Sequence, residues 1–241
     1  MVGEPSHYVF KSSPYSSHSR ILGLLPPQGK GRRVLDVGCG PGYLMTLLAS
    51  RGFQVTGVDR AAPQELAPGA NFVAADLLTG LPPLHEHFDY ILFADVLEHL
   101  PDPERLVGWA IDHLKPGGQI LISVPNVAHA YVRWKLLWGH FDYTSRGILD
   151  RTHLRFYTRR SLAAFLKACG LVCREIYSTP APLELVAPLA WQGRLFGLVC
   201  ACHAALARWV PTLLAYQFVC VAVPSSLPAP AAPVRPLETR G

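Results

Sequence analysis

Between Arg33 and about Pro125, short and nearly continuous apolar runs alternate with segments whose apolar residues recur every third or fourth position. The first kind of run suits a strand buried on both faces, the second an amphipathic helix. The pattern predicts strands over 33–37, 53–59, 71–76, 88–94 and 119–124, and helices over 43–51 and 103–114. Lys115-Pro116-Gly117-Gly118 reads as a turn leading into the fifth strand. Such alternation predicts an α/β fold, a doubly wound and mostly parallel sheet with helices on both faces. In sheets of this kind ligands bind outside the carboxyl ends of the strands.

Beyond Pro125 the regularity changes. Residues 126–159 are rich in aromatics, His and Arg, and read as a substrate-side insertion, a helical lid with one short helix over 132–138. A helix over 160–169 stops at Gly170, and strands are predicted over 171–179 and 216–223. Between them, 180–213 is an apolar insertion punctuated by prolines and by Arg194 and Arg208. The uncharged run between Arg194 and Arg208 is too short to span a bilayer, and the one that follows contains Pro211 and ends in a strand pattern. The insertion reads first as a buried helical pair, and second as an interfacial surface anchored by Trp191, Phe196 and Trp209, giving peripheral contact with a membrane. Residues 1–32 form an N-terminal cover, and the Pro/Ala-rich 224–241 a disordered tail. One domain over 33–223 remains.

The net charge of +5 comes from scattered Lys and Arg with no long basic run, so no nucleic-acid partner is expected. The six cysteines form no C-x-x-C pair, which fits reduced thiols and a cytoplasmic location, reaching at most the inner membrane face. Cys200, Cys202 and His203 have no companion pair at zinc spacing, so no metal is expected. Met1 to Arg20 shows no apolar core segment of a secretory signal.

The candidate chemistry starts at Val34-Leu35-Asp36-Val37-Gly38-Cys39-Gly40-Pro41-Gly42, a buried strand breaking into a glycine-rich turn before a helix. Glycines at 38, 40 and 42 let a ligand approach the backbone, and amides at a helix start can face it. Dinucleotide-binding loops more often space their glycines G-x-G-x-x-G. Asp59 closes the second strand about twenty residues further on, where a carboxylate can accept two hydrogen bonds from a ribose diol.

This loop resembles motif I of the class I S-adenosylmethionine (SAM)-dependent methyltransferases, a Rossmann-like fold with seven strands and an antiparallel last strand. The likeness extends to Ala74-Ala75-Asp76-Leu77, to Phe88–Leu100 with Leu97-Glu98-His99 and Asp102-Pro103, and to Leu114-Lys115-Pro116-Gly117-Gly118. It implies SAM as cofactor. It also implies a site made of Asp36, Gly38, Cys39, Gly40, Gly42, Asp59, Arg60, Asp76, Leu77, Ala94, Asp95 and Val96. Asp76 would take the adenine amino group and Leu77 would lie against the base. Any one acid could instead cap a helix, and Asp36 could simply order the turn.

The segment Gly147-Ile148-Leu149-Asp150-Arg151-Thr152-His153-Leu154-Arg155-Phe156-Tyr157-Thr158 resembles a signature of bacterial methyltransferases of sugar and cell-surface polysaccharide pathways. Pro211–Phe218 is similar to that group as well. The implied acceptor is a small molecule, a glycan or a lipid-linked sugar, methylated on a hydroxyl. His99 is the first candidate base and His153, oriented by Asp150, the second. Tyr143, Arg151 and Arg155 are expected to contact the acceptor, with Arg159 and Arg160 beside them; alternatively the segment is a lid with its own small core. His18 and Arg20 are expected to close over the cofactor. Leu97-Glu98-His99 with Asp102-Pro103 also resembles the quinone-precursor methyltransferases. Readings from other classes are a nicotinamide-dependent oxidoreductase and a non-catalytic partner subunit.

Overall fold

The computed structural model describes residues 13–63, 65–185 and 193–225. Seven strands form one sheet in the order β3-β2-β1-β4-β5-β7-β6. They are β1 Arg33–Val37, β2 Gln54–Asp59, β3 Ala70–Ala74, β4 Phe88–Ala94, β5 Leu114–Pro125, β6 Leu171–Thr179 and β7 Gln217–Pro224. The first five run parallel; β7 is antiparallel to β5 on one side and to β6 on the other, which leaves β6 as an edge. Reversal of the sheet order at β1 and β4 opens a crevice at their carboxyl ends.

The helices are α1 Ser17–Leu24, α2 Tyr43–Ser50, α3 Pro103–Asp112, α4 Ala130–Leu137, α5 Arg159–Ala168, α6 Arg194–Trp209 and α7 Pro211–Leu214. Continuous apolar strands need cover on both faces, and two cores supply it. Leu35, Val37, Ile91, Phe93, Ile120 and Ile122 meet residues of α3 and α5 on one face. Val34, Val55, Leu92 and Leu121 meet α1 and α2 on the other. Alternate residues of β1 and β4 enter different cores, as the period of two in a strand requires.

The segment predicted as a turn, 115–118, instead lies within β5, where the pairing with β4 shifts register between Phe88 and Tyr90. The Lys115 ammonium holds the Asp89 carboxylate at 2.7 Å across this irregularity. A side chain on Gly118 would meet the Asp89 carbonyl at 3.0 Å, so glycine lets the strands stay together there.

The insertion over 126–159 has a core of its own, with Val132, Ile148 and Leu149 buried against Val127, Phe156 and Tyr216. Two backbone bonds hold it over the crevice: the Leu154 and Arg155 amides donate to the Glu98 carbonyl at 2.7 and 3.0 Å. The apolar insertion departs from the buried pair. Along α6, Leu195, Leu198, Val199, Leu206 and Trp209 are exposed, while Cys200, Ala204 and Ala207 turn inward. Small residues on one stripe let the helix lie close to the body and leave its bulky face outside. Trp191, the first dozen residues of the N-terminal cover and nearly all of the tail lie outside the described residues. No helix among the described residues is long and apolar enough to cross a membrane, and all six cysteines are free thiols.

Candidate active site

The glycine loop leaves β1 with φ of +71°, +52° and +83° at Gly38, Gly40 and Gly42. These are left-handed values that favour residues without a Cβ. Gly38 is also sterically fixed, because a Cβ there would sit 2.6 Å from a methyl of Val96. A Cβ on Gly40 would meet nothing within 4 Å, so the loop presents open backbone at that point.

The amides of this loop do not wait for a ligand, as the sequence had suggested. Gly38 and Cys39 donate to the Val58 carbonyl at 2.7 and 3.1 Å, Gly40 to the Asp59 carboxylate at 2.8 Å and Gly42 to the Cys39 carbonyl at 3.0 Å. The loop therefore offers close approach rather than free donors.

Asp36 does not order the turn either. It is 1% exposed, and neither carboxylate oxygen has a hydrogen-bond partner. Burial, and secondly the Asp59 charge, push its pKa up to about 7. An unpartnered buried carboxylate is costly and signals a missing cationic or hydrogen-bonding partner. It faces a narrow cleft of about 10 Å³ lined by His18, Asp36, Gly38, Cys39, Tyr43, Leu44 and Ala94. The Cys39 thiol is likewise pushed up, first by burial and then by Asp36.

Outside the cleft the site opens. Asp59 uses one oxygen on the Gly40 amide and the other on the Arg60 amide at 2.6 Å, and stays half-buried with lone pairs to spare. Arg60 thus contributes its backbone, its side chain being exposed. Asp76 accepts from the Leu78 amide at 3.0 Å through one oxygen, and Leu77 is half-buried beside it.

At the end of β4, Asp95 has φ +58°, an uncommon value for a residue with a side chain. It is held there by partners that sequence reasoning missed. Ser123 of β5 and Gln217 of β7 donate to the same Asp95 oxygen at 2.6 and 2.9 Å. Ala94 and Val96 on either side are buried.

His99 stands half-buried in the short helical turn after β4, its ring 4.7 Å from that of His153. The Thr152 hydroxyl lies 3.0 Å from His99 Nδ1 and 2.7 Å from Asp150 Oδ1. The ionised Asp150 carboxylate only accepts, so the single Thr152 hydrogen goes to it. Nδ1 of His99 must then carry its own hydrogen, which also suits the Thr152 carbonyl at 3.3 Å. In the neutral ring this leaves Nε2 as the open acceptor. Asp150 had been expected to orient His153; through Thr152 it orients His99. His153 is buried, directs Nδ1 to the Ile148 carbonyl at 3.0 Å, and has its pKa lowered by burial first and by His99 second.

No metal was expected from spacing, yet Glu98, His99 and His153 bring one ligand atom each within 4.8 Å of one another. That is close enough to hold one divalent cation. The cluster was invisible beforehand because His153 arrives from the insertion.

The acceptor-side expectations divide. Tyr143 is exposed and meets Phe141 edge-on and Phe156 at a tilt, within the aromatic group of the insertion. The Arg151 side chain is exposed, with no ion pair among the described residues. Arg155 is turned away, donating to the Pro101 carbonyl and lying 3.8 Å from Glu104. Of the pair expected to close over the cofactor, His18 lines the cleft but Arg20 does not. Two residues along a helix turn by about 200°, so they occupy opposite faces, and Arg20 stacks on Tyr177 instead.

A family model described as a methyltransferase domain matches residues 11–176. The ubiquinone biosynthesis O-methyltransferase of Pseudomonas fluorescens is 31% identical over 159 residues, spanning 61% of this chain and 67% of the relative. That of Pseudomonas syringae pv. tomato is 38% identical over 160 residues, with the same shares. Among solved structures, a SAM-dependent methyltransferase from Archaeoglobus fulgidus has a TM-score of 0.57 at 21% identity, covering 88% of this chain and 95% of that one. The 1,6-didemethyltoxoflavin-N1-methyltransferase of Burkholderia thailandensis, solved with S-adenosylhomocysteine, has a TM-score of 0.56 at 19% identity, covering 89% and 79%. At these identities the two structures share the fold.

Proposed function

Because the chain belongs to the methyltransferase-domain family, we propose that it moves a methyl group from SAM to a hydroxyl oxygen of a small-molecule or glycan acceptor. Family membership sets aside the nicotinamide-dependent oxidoreductase. The reading is carried by one observation: a buried carboxylate, Asp36, left without a hydrogen-bond partner at the foot of an open glycine loop.

The residues present suit the cofactor. Asp36 would meet its cationic end, and Gly38, Cys39, Gly40 and Gly42 would form the floor. Asp59 would accept from the ribose hydroxyls, Asp76 from the adenine amino group, and Leu77 would lie on the base. Ala94, Asp95 and Val96 would line the wall, with Arg60 held by its amide. The cleft at His18 and Tyr43 has room for less than the methionyl group, so binding requires these side chains to move apart. Bound SAM supplies a methyl already made electrophilic by its sulfonium. The protein then has to orient the acceptor, exclude water and take the hydroxyl proton. His99 Nε2 takes that proton; Thr152 and Asp150 hold the ring in the tautomer that allows it. His153, kept neutral by burial, packs against the same ring. Tyr143 and Arg151 face the acceptor, and Arg155 fixes the lid.

Two acceptor classes have specific support. The 147–158 signature favours a sugar hydroxyl of a glycan or lipid-linked sugar. The curated relatives named above favour a ring hydroxyl of a quinone precursor. The exposed apolar face of α6 suits a lipid-tailed acceptor in either case, with the enzyme cytoplasmic and peripheral at the inner membrane face. Release of S-adenosylhomocysteine, measured against a panel of catechols and sugars, tests the reading. Turnover on one class identifies the acceptor. SAM binding without turnover on any member would point to the non-catalytic partner subunit.

A further inference from the structure

At the carboxyl end of the edge strand β6, three arginines from three helices converge on one cavity of about 310 Å³. Arg20 comes from α1, Arg159 is the first residue of α5 and Arg208 stands in the last turn of α6. Ile176, Tyr177, Ser178 and Pro211 complete the lining. We infer that this cavity is a binding site for a phosphate or diphosphate group, separate from the methyl-transfer crevice.

Arg20 lies 5.0 Å from the centre of the Tyr177 ring, which fixes its guanidinium, and the Tyr177 hydroxyl in turn donates to Glu175. The α5 N-terminus, capped by Thr158, adds its partial positive charge beside Arg159. None of the three guanidinium groups forms an ion pair or hydrogen bond with any described residue; the ion pairs among the described residues involve Lys115, Lys135, His140 and Arg155. Three unneutralised guanidinium groups around one cavity repel each other, and an anion between them reverses that cost. Guanidinium forks match tetrahedral phosphate oxygens in pairs, and the Ser178 hydroxyl is a further donor. The volume is at the lower end for a small-ligand site, roughly 300 Å³, so a phosphoryl head fits where a whole nucleotide does not. With β6 four strands from β1 in the sheet order, the cavity lies about 19 Å from the glycine loop.

The phosphate can belong to a soluble ester or to a lipid headgroup, and two probes separate these sources. Inorganic pyrophosphate is titrated calorimetrically into the full chain and into the double variant Arg159→Gln/Arg208→Gln. Both side chains are exposed, so the variant should keep the wild-type melting temperature and SAM affinity. Each charge-assisted bond lost should weaken pyrophosphate binding roughly tenfold. Arg208→Lys, which keeps the charge but not the fork, should fall between. Co-sedimentation with phosphatidylglycerol vesicles, but not phosphatidylcholine vesicles, that is lost in the double variant assigns the site to a headgroup. Pyrophosphate binding without vesicle binding assigns it to a soluble phosphate. If neither probe binds, or the variant binds both as well as wild type does, the inference fails. SAM affinity and methyl transfer are measured separately, so that failure would leave the proposed activity standing.

Discussion

Asp36→Asn should make the ligand-free protein more stable at alkaline pH and less able to bind its cofactor. Asp36 is buried without partners, and its pKa is pushed from 3.8 to about 7. A carboxyl group whose folded-state value is raised favours folding in its protonated form. The stability is therefore fully present below the ordinary value of 3.8 and is lost as the pH climbs to about 7, above which both states are ionised alike. At about 1.4 kcal/mol per decade, the loss is about 4 kcal/mol in all, of which about 3 kcal/mol falls between about pH 5 and pH 8. Asparagine keeps the shape and does not titrate. Its amide still lacks partners, at about 1–3 kcal/mol, but that cost is the same at both pH values. The melting-temperature difference between variant and wild type should then move in the variant's favour by roughly 6–12 °C from about pH 5 to pH 8. Calorimetric SAM titrations of the same samples should show wild-type affinity rising through about pH 7 as the carboxylate ionises, and the variant weak throughout. Melting curves that stay parallel across this range would refute the argument, since Asp36 would then be solvated or paired in solution.

Asp59→Ala removes both the loop tether to Gly40 and the acceptor facing the crevice; SAM affinity measured by calorimetry should fall by roughly ten- to a hundredfold. His99→Ala should lower kcat by about 10²–10⁴ with SAM affinity unchanged, and unaltered turnover would remove it as the base. Thr152→Val breaks the link from Asp150 to His99 and should lower kcat less while shifting the acid limb of the pH–rate profile, a shift that mere loss of lid packing would not produce. Gly38→Ala meets a φ of +71° and a Val96 methyl at 2.6 Å. It should cost about 1–3 kcal/mol in denaturant unfolding, and adding Val96→Ala should recover the steric part alone.

How much was legible beforehand follows from the range of each interaction. Alternating apolar runs place β1, β4 and α3 within a residue or two of where they lie, because a buried strand or an amphipathic helix is dictated by its own few residues. The glycine loop and the acids at the strand ends were readable for the same reason, since left-handed φ values and strand ends are local properties. Side-chain partnership is not local. Arg155 lies in a motif that suggests a ligand, yet it finds Pro101 and Glu104 once the insertion folds back over Glu98. Asp95 depends on Ser123 and Gln217 from two later strands, and His99 takes its tautomer from Thr152. The exposure of α6 could not be read from its apolar composition, because burial is decided by which stripe meets the body. Nothing in the spacing of Arg20, Arg159 and Arg208 hints at a common cavity. Sequence determined the elements and the loop between them; contacts between distant segments, which exist only once the chain has closed, decided which of the charged residues face ligands and which face the protein.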